Sequence, residues 1–231
     1  METEYSVQEK NSLRSFLIFA FILIFLLTIG FLINSSYFRV KIIEIDSAES
    51  KYSVVDFSSE VLNQSIWLIN TDTFKNKIIE YPTIKSISPT REYPDKIILN
   101  IKEYEELIVI TDLRGTIPLS TILYKNGLQI VSSEKTNLPT ISISNGPVSA
   151  GFNGELVSMM LTFKNYQLAQ SKFSFNYDGQ KIVGKYGETT INFGSLIDLG
   201  TKASAVGALL ENSSCNGEVS FIGSEELIAN C

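Results

Sequence analysis

The feature that most constrains this chain is residues 16–33, FLIFAFILIFLLTIGFLI, an apolar run without a single charge. At about 1.5 Å rise per residue, a helix of this length just crosses a hydrocarbon core of about 30 Å. The run therefore predicts a transmembrane helix. No second run of the kind follows, so the chain reads as a single-pass anchor carrying one large body. A cleaved signal peptide is the alternative, but its apolar region is usually about 7 to 15 residues and ends at a small-residue site. This run is longer and leads into Asn34, Ser35, Ser36, Tyr37 and Phe38. Flanking charge leaves the orientation open, with Lys10 and Arg14 before the run and Arg39, Lys41 and Lys51 after it. Long domains translocate largely regardless of charge, so the expected arrangement is a cytoplasmic N-terminus and an extracytoplasmic body.

Composition narrows the chemistry. The net charge is -6 and no basic cluster is present, which argues against a nucleic-acid partner. Histidine is absent altogether, which removes imidazole-based triads, general bases and zinc sites. A hydrolase would have to rest on carboxylates, and the candidates are Asp46, Glu49, Asp56, Glu60, Glu103, Glu105 and Glu106, which read more simply as solvated faces. No catalytic, metal or cofactor site and no small-molecule substrate is expected. The two cysteines, Cys215 and Cys231, are too few for a metal cage. They read first as free thiols, and alternatively as a short disulfide loop contributing about 3 kcal/mol.

Residues 1–15 are polar and read as a disordered cytoplasmic tail. Alternation over residues 38–42 predicts a strand, continued on the other parity by Ile43 and Ile45. Val54, Phe57 and Val61 share a helical face over residues 51–62. Residues 65–70 form an apolar link whose Trp67, the only tryptophan, reads as core. A second helix is predicted from Thr71 or Asp72 through Phe74, Ile78 and Tyr81 to Pro82. Two strand-like runs, 83–90 and 96–102, flank a Pro94-Asp95 turn, and Pro89 assigns the first of them to a sheet edge.

These residues resemble a known family. Pro82-Thr83-Ile84-Lys85-Ser86-Ile87-Ser88, then Tyr93-Pro94-Asp95-Lys96-Ile97 and Ile101-Lys102-Glu103-Tyr104, are similar to the POTRA-domain signature of the FtsQ/DivIB cell-division proteins. Glu105-Glu106 stands where relatives commonly carry a proline. The resemblance implies an α+β fold with five parts: the tail, the span at 16–33, a POTRA domain (β-α-α-β-β) at 37–105, an FtsQ-type β domain at 106–223 and a C-terminal tail at 224–231. The β domain is read as a mixed α/β unit with an antiparallel sheet, and Pro82, Tyr93, Pro94 and Asp95 as structural POTRA residues.

Within 106–223 the residues predict a strand at 107–110, an Asp112-Leu113-Arg114-Gly115 turn and a loop at 144–154. A helix at 155–166 buries Leu156, Met160 and Phe163. Strands follow at 173–177, 181–185 and 189–193, the first two joined by a two-residue Asp178-Gly179 turn. A helix opened by Ser195 and Asp198 carries Leu196, Leu199, Ala203, Val206 and Leu210, and 218–222 is the last strand.

The function the resemblance implies is a non-enzymatic scaffold in the plasma membrane at the division septum. It implies partners among single-pass division proteins, FtsB/DivIC-like and FtsL-like, besides membrane lipid. The implied contact is the last strand and its sequel, Glu218, Val219, Ser220, Phe221, Ile222, Gly223 and Ser224, offered as a free sheet edge with Phe221 as apolar anchor. The opposing reading turns Val219 and Phe221 into the core and makes Gly223 a turn. A POTRA-bearing translocation or envelope-assembly component is the second functional class, and an anchored extracytoplasmic hydrolase the third.

Overall fold

The computed structural model describes residues 2–47, 52–132, 136–213, 215–223 and 226–231, with side chains from residue 14 onward. Lys10 (its side chain), Glu49, Lys51 and Ser224 lie outside the described residues. Two units are present, residues 1–103 and 104–231.

The first unit begins with helix α1, Glu2–Asn34, whose segment Arg14–Asn34 has a mean hydropathy of 3.1 and buries none of its surface against protein. It is apolar all round, as a lipid-facing helix must be. Beyond Arg14 and Ser15 at its start, its polar side chains bond back to the backbone, Thr28 to the Ile24 carbonyl at 2.8 Å and Asn34 to that of Gly30 at 3.0 Å. The polar residues before the span, read as disordered, are helical too. Once the span is nucleated, each further residue adds a bond at little cost, and Glu, Gln, Lys, Leu and Arg suit a helix.

After a helical turn at Ser36–Phe38, β1 runs over Ile42–Asp46, later than the alternation at 38–42 predicts. The earlier segment is instead tied to residues 63–66, with Ile66 donating to the Phe38 carbonyl and Val40 to that of Gln64. Helix α2, Val54–Val61, is capped by Ser53 and Asp56, and buries Phe57 and Val61 but not Val54. Asn70, not Thr71 or Asp72, caps the turn leading into α3, Lys75–Glu80. The hairpin of β2, Ile84–Glu92, and β3, Lys96–Glu103, completes a three-stranded sheet in the order β1-β3-β2. Strand β1 runs parallel to β3, and Pro89 sits on the edge strand β2 where its missing donor does no harm. Beneath the helices lie Val40, Phe57, Ile66, Phe74, Ile87 and Leu99, all buried.

Trp67 is not core. It is 43% exposed, and the flanking Ile66 and Ile69 occupy the buried positions. Its ring lies 4.8 Å from that of Tyr93.

Among the described residues, the second unit is a nine-stranded sheet with two α-helices. Its strands are β4 Glu106–Asp112, β5 Leu119–Tyr124, β6 Gln129–Val131, β7 Thr140–Ile143, β8 Phe173–Tyr177, β9 Ile182–Tyr186, β10 Thr189–Gly194, β11 Glu218–Ile222 and β12 Glu226–Asn230. They lie in the order β12-β11-β10-β9-β8-β7-β4-β5-β6. The sheet is mixed: β7 is parallel to both β4 and β8, and β10 is parallel to β11. Helix α4, Phe152–Phe163, begins inside the stretch read as loop, and α5 spans Leu199–Asn212. The β8–β9 connection is four residues, not two, because Asp178 accepts from the backbone of both Gln180 and Lys181 at 3.0 Å. Phe163 stands at the centre of the core, its ring 4.5 Å from Phe173 and 6.3 Å from Phe193.

Helix α5 starts after Ser195 and Leu196. Asp198 is at its N-cap with φ 55° and makes no side-chain cap. The cap comes from α4, where Glu155 accepts from the Leu199 N–H at 2.9 Å. The buried Lys202 donates to the Ser195 carbonyl at 3.1 Å, and burial lowers its pKa below the usual lysine value. Glu155→Ala is expected to destabilise the second unit by about 1 kcal/mol, the usual cost of a lost helix cap, with Glu155→Gln retaining most of it. Denaturant unfolding of the detergent-solubilised chain measures both.

Candidate interaction edge

Strand β11 is not the end of the sheet. It pairs in parallel with β10, Ile191 opposite Val219, and on its other side antiparallel with β12, from Glu218 opposite Asn230 to Ile222 opposite Glu226. The free row expected on 218–222 is thus filled by residues expected to be a tail. Among the described residues β12 is the outermost strand at this end.

Side chains alternate across the pair. Val219 is buried, and Phe221 packs against the core with its ring 6.2 Å from Phe193, so Phe221 is no free anchor. Leu227 packs on the same core. On the opposite face Ile222 is 60% and Ile228 44% exposed. Gly223 has φ 70° and forms the turn out of β11.

The hairpin is locked at its open end by a disulfide between Cys215 and Cys231, with the Cα atoms 4.8 Å apart, so the free-thiol reading is overturned. Gly217 permits the closure, because a Cβ there would lie 1.9 Å from the Asn230 carbonyl oxygen. Thr189, buried on β10, donates its hydroxyl to the Cys215 carbonyl and fixes the bridge to the sheet. The sequence did carry a signal for this hairpin: two cysteines bracketing two five-residue runs separated by Gly223.

The candidate carboxylates have structural partners. Asp56 caps α2, Glu103 accepts from the Tyr52 hydroxyl, Glu105 pairs with Lys164 at 2.6 Å, and Glu106 accepts from Tyr124 at 3.1 Å. Asp46 is exposed and Glu60 half-buried. Among the described residues no group of three Cys, Asp or Glu could hold a metal ion. A cleft of about 170 Å³ beside β4 and β5 contains Asp112 and Arg114, which neutralise each other. Arg114 also donates to the Gly146 carbonyl at 2.8 Å, tying the 112–116 turn to the next loop.

The structural signature residues of the first unit sit at the β2–β3 turn. The Asp95 carbonyl accepts from Lys41 at 2.8 Å and Ile42 at 3.2 Å, and its carboxylate pairs with the Lys41 ammonium at 3.3 Å. The tip thereby fixes the entry of β1. The Tyr93–Pro94 bond is cis, and the Tyr93 ring lies tilted against that of Trp67. Pro82 follows α3.

A candidate span followed by a β-α-α-β-β unit, with its helices covering one face of a β1-β3-β2 sheet, defines a membrane-linked POTRA-type protein. Residues 38–104 match the family model of the POTRA domain, FtsQ-type, so the chain carries that domain, in agreement with the FtsQ/DivIB resemblance. No curated protein matches the chain.

Two outcomes follow from this geometry. The Arg114 side chain, and next its backbone N–H, hold the Asp112 carboxyl down at about 2. Its contribution is present above the ordinary carboxylate range and is lost as pH falls through about 2. Arg114→Ala is expected to return the Asp112 pKa toward the ordinary range, as read by carboxyl NMR titration. Replacing Cys215 and Cys231 together by Ser is expected to cost about 3 kcal/mol in the chain-entropy account of a loop this short, measured by thermal unfolding of oxidised chain and variant.

Proposed function

We propose that the chain is a non-enzymatic, membrane-anchored scaffold of the bacterial cell-division machinery, and that the exposed side of β12 receives a partner strand. The observation that carries this reading is the edge strand β12, at the opposite end of the nine-stranded sheet from the three-residue β6, on a chain with an FtsQ-type POTRA domain. An edge strand offers a row of N–H and C=O groups, and an added strand gains affinity from backbone bonds alone. Ile228 and Ile222, exposed on one face of the hairpin, supply apolar contacts beside that edge. Residues 218–223 then serve as the inner half of the platform. The partner is a single-pass division protein of the FtsB/DivIC-like kind, accompanied by an FtsL-like one.

The body lies outside the cytoplasm, with the N-terminus inside. Supporting this is the disulfide that joins the chain's two cysteines, since such bonds persist in oxidising compartments and are rare in the cytosol. The structural roles of the carboxylates at Asp56, Glu103, Glu105 and Glu106 favour a scaffold over a hydrolase.

Ile228→Lys places a charge beside the edge without touching the core. The expected result is loss of the co-purifying single-pass partner from detergent-solubilised membranes, with circular dichroism unchanged and septal fluorescence of a fusion retained or weakened. Retained partner with a normal spectrum would remove the edge from consideration. A uniform membrane distribution of the wild-type fusion would count against the division role itself.

A further inference from the structure

The first unit displays a group of aromatic side chains that its core does not use. Tyr37 is 61%, Trp67 43% and Tyr93 54% exposed, and Leu68 beside them is 65% exposed. They form a continuous row of rings through the half-buried Phe38: Tyr37 to Phe38 at 5.1 Å, Phe38 to Trp67 at 5.6 Å and Trp67 to Tyr93 at 4.8 Å.

The backbone holds this row outward. Ile66 and Ile69 are fully buried, and Arg91 clamps their carbonyls at 2.8 and 2.5 Å. The two residues between them, Trp67 and Leu68, are both left exposed. The Ile66 N–H bonds the Phe38 carbonyl at 2.9 Å, and Asn63 and Val40 exchange with the same segment at 3.0 Å. Apolar side chains presented on a framed loop are a costly arrangement in water, and contiguous exposed apolar surface marks a contact.

The covalent tether says what the contact is. The apolar helix ends at Asn34, and residues 36–38 are a tight helical turn that includes two of the rings. Four residues reach at most about 14 Å when fully extended, and a turn of that kind shortens this to roughly 10 Å. The polar interfacial layer on each side of the hydrocarbon core is itself about 5–8 Å deep. Tyr and Trp are enriched in that layer because the ring is apolar while the O–H or N–H stays wet. Arg39, exposed next to the row, adds a positive charge that suits anionic headgroups, while Lys41 is paired with Asp95.

We infer that Tyr37, Trp67, Leu68 and Tyr93 seat the POTRA domain on the phospholipid surface next to its own span, so that the domain is docked on the bilayer. The inference rests on the reading of residues 14–34 as a membrane span, and the two fail separately.

Trp67 is the chain's only tryptophan, so its emission reports this surface without labelling. The full chain is reconstituted into vesicles of phosphatidylcholine and phosphatidylglycerol, and flotation with the vesicles tests the span by itself. In the floated material, Trp67 emission is expected to be blue-shifted relative to the chain in urea. It is also expected to be quenched by lipids brominated near the headgroup end of the acyl chain, and shielded from acrylamide. Leu68→Asp combined with Tyr37→Ser, which leaves the tryptophan and the buried frame in place, is expected to abolish the lipid quenching with an unchanged far-ultraviolet spectrum. Full acrylamide access with no lipid quenching in floated wild-type chain would overturn the docking. A blue shift without lipid quenching that grows with the protein-to-lipid ratio would assign the row to a second copy and overturn it equally.

Discussion

A helix that is apolar on every side has no stable place in water, and no residue of the window that makes Arg14–Asn34 a candidate span is buried. A bilayer would satisfy it, because its backbone bonds are internal and Thr28 and Asn34 bond back to their own turn. The rest follows from that placement. The segment after the span is short, and the first strand is fixed to the hairpin tip through Asp95 and Lys41. The first unit is thus assembled within a few residues of the apolar segment. The bridge between Cys215 and Cys231 is of a kind that persists in oxidising compartments and is rare in the cytosol.

The first unit was largely legible because its signals are local. Pro89 excludes a central strand, Pro94-Asp95 makes a turn, and Val61 and Phe57 share a helical face. What was not legible depended on competition between neighbours. Trp67 reads as core by type, yet Ile66 and Ile69 flank it and fit the interior, and the clamp by Arg91 comes from a strand more than twenty residues away. The start of β1 was misplaced for a similar reason. Alternation over 38–42 is genuine, but the backbone there bonds to residues 63–66, a pairing invisible to a local pattern.

In the second unit the long-range terms dominate. Strand β7, Thr140–Ile143, is parallel to both its neighbours, a position reached only by crossovers that no short window reveals. The cap of α5 by Glu155 is likewise tertiary: Ser195 and Asp198 have the right chemistry in the wrong place. Strand β12 escaped because Glu-Leu-Ile-Ala-Asn lacks alternation and ends in two weak strand formers. Its partner strand was read correctly but its edge was not, and the candidate surface moves outward by one strand as a result.

The bridge between Cys215 and Cys231 also decides how the hairpin carries load. Antiparallel β11 and β12 are joined at one end by the turn at Gly223 and at the other by the covalent link. A pull applied to β12 away from the sheet would otherwise peel the ladder apart one bond at a time from the open end of the hairpin. With both ends closed that unzipping has no starting point, so the strain passes to Cys215 and, through Thr189, to β10. An edge built this way behaves as a closed loop under tension.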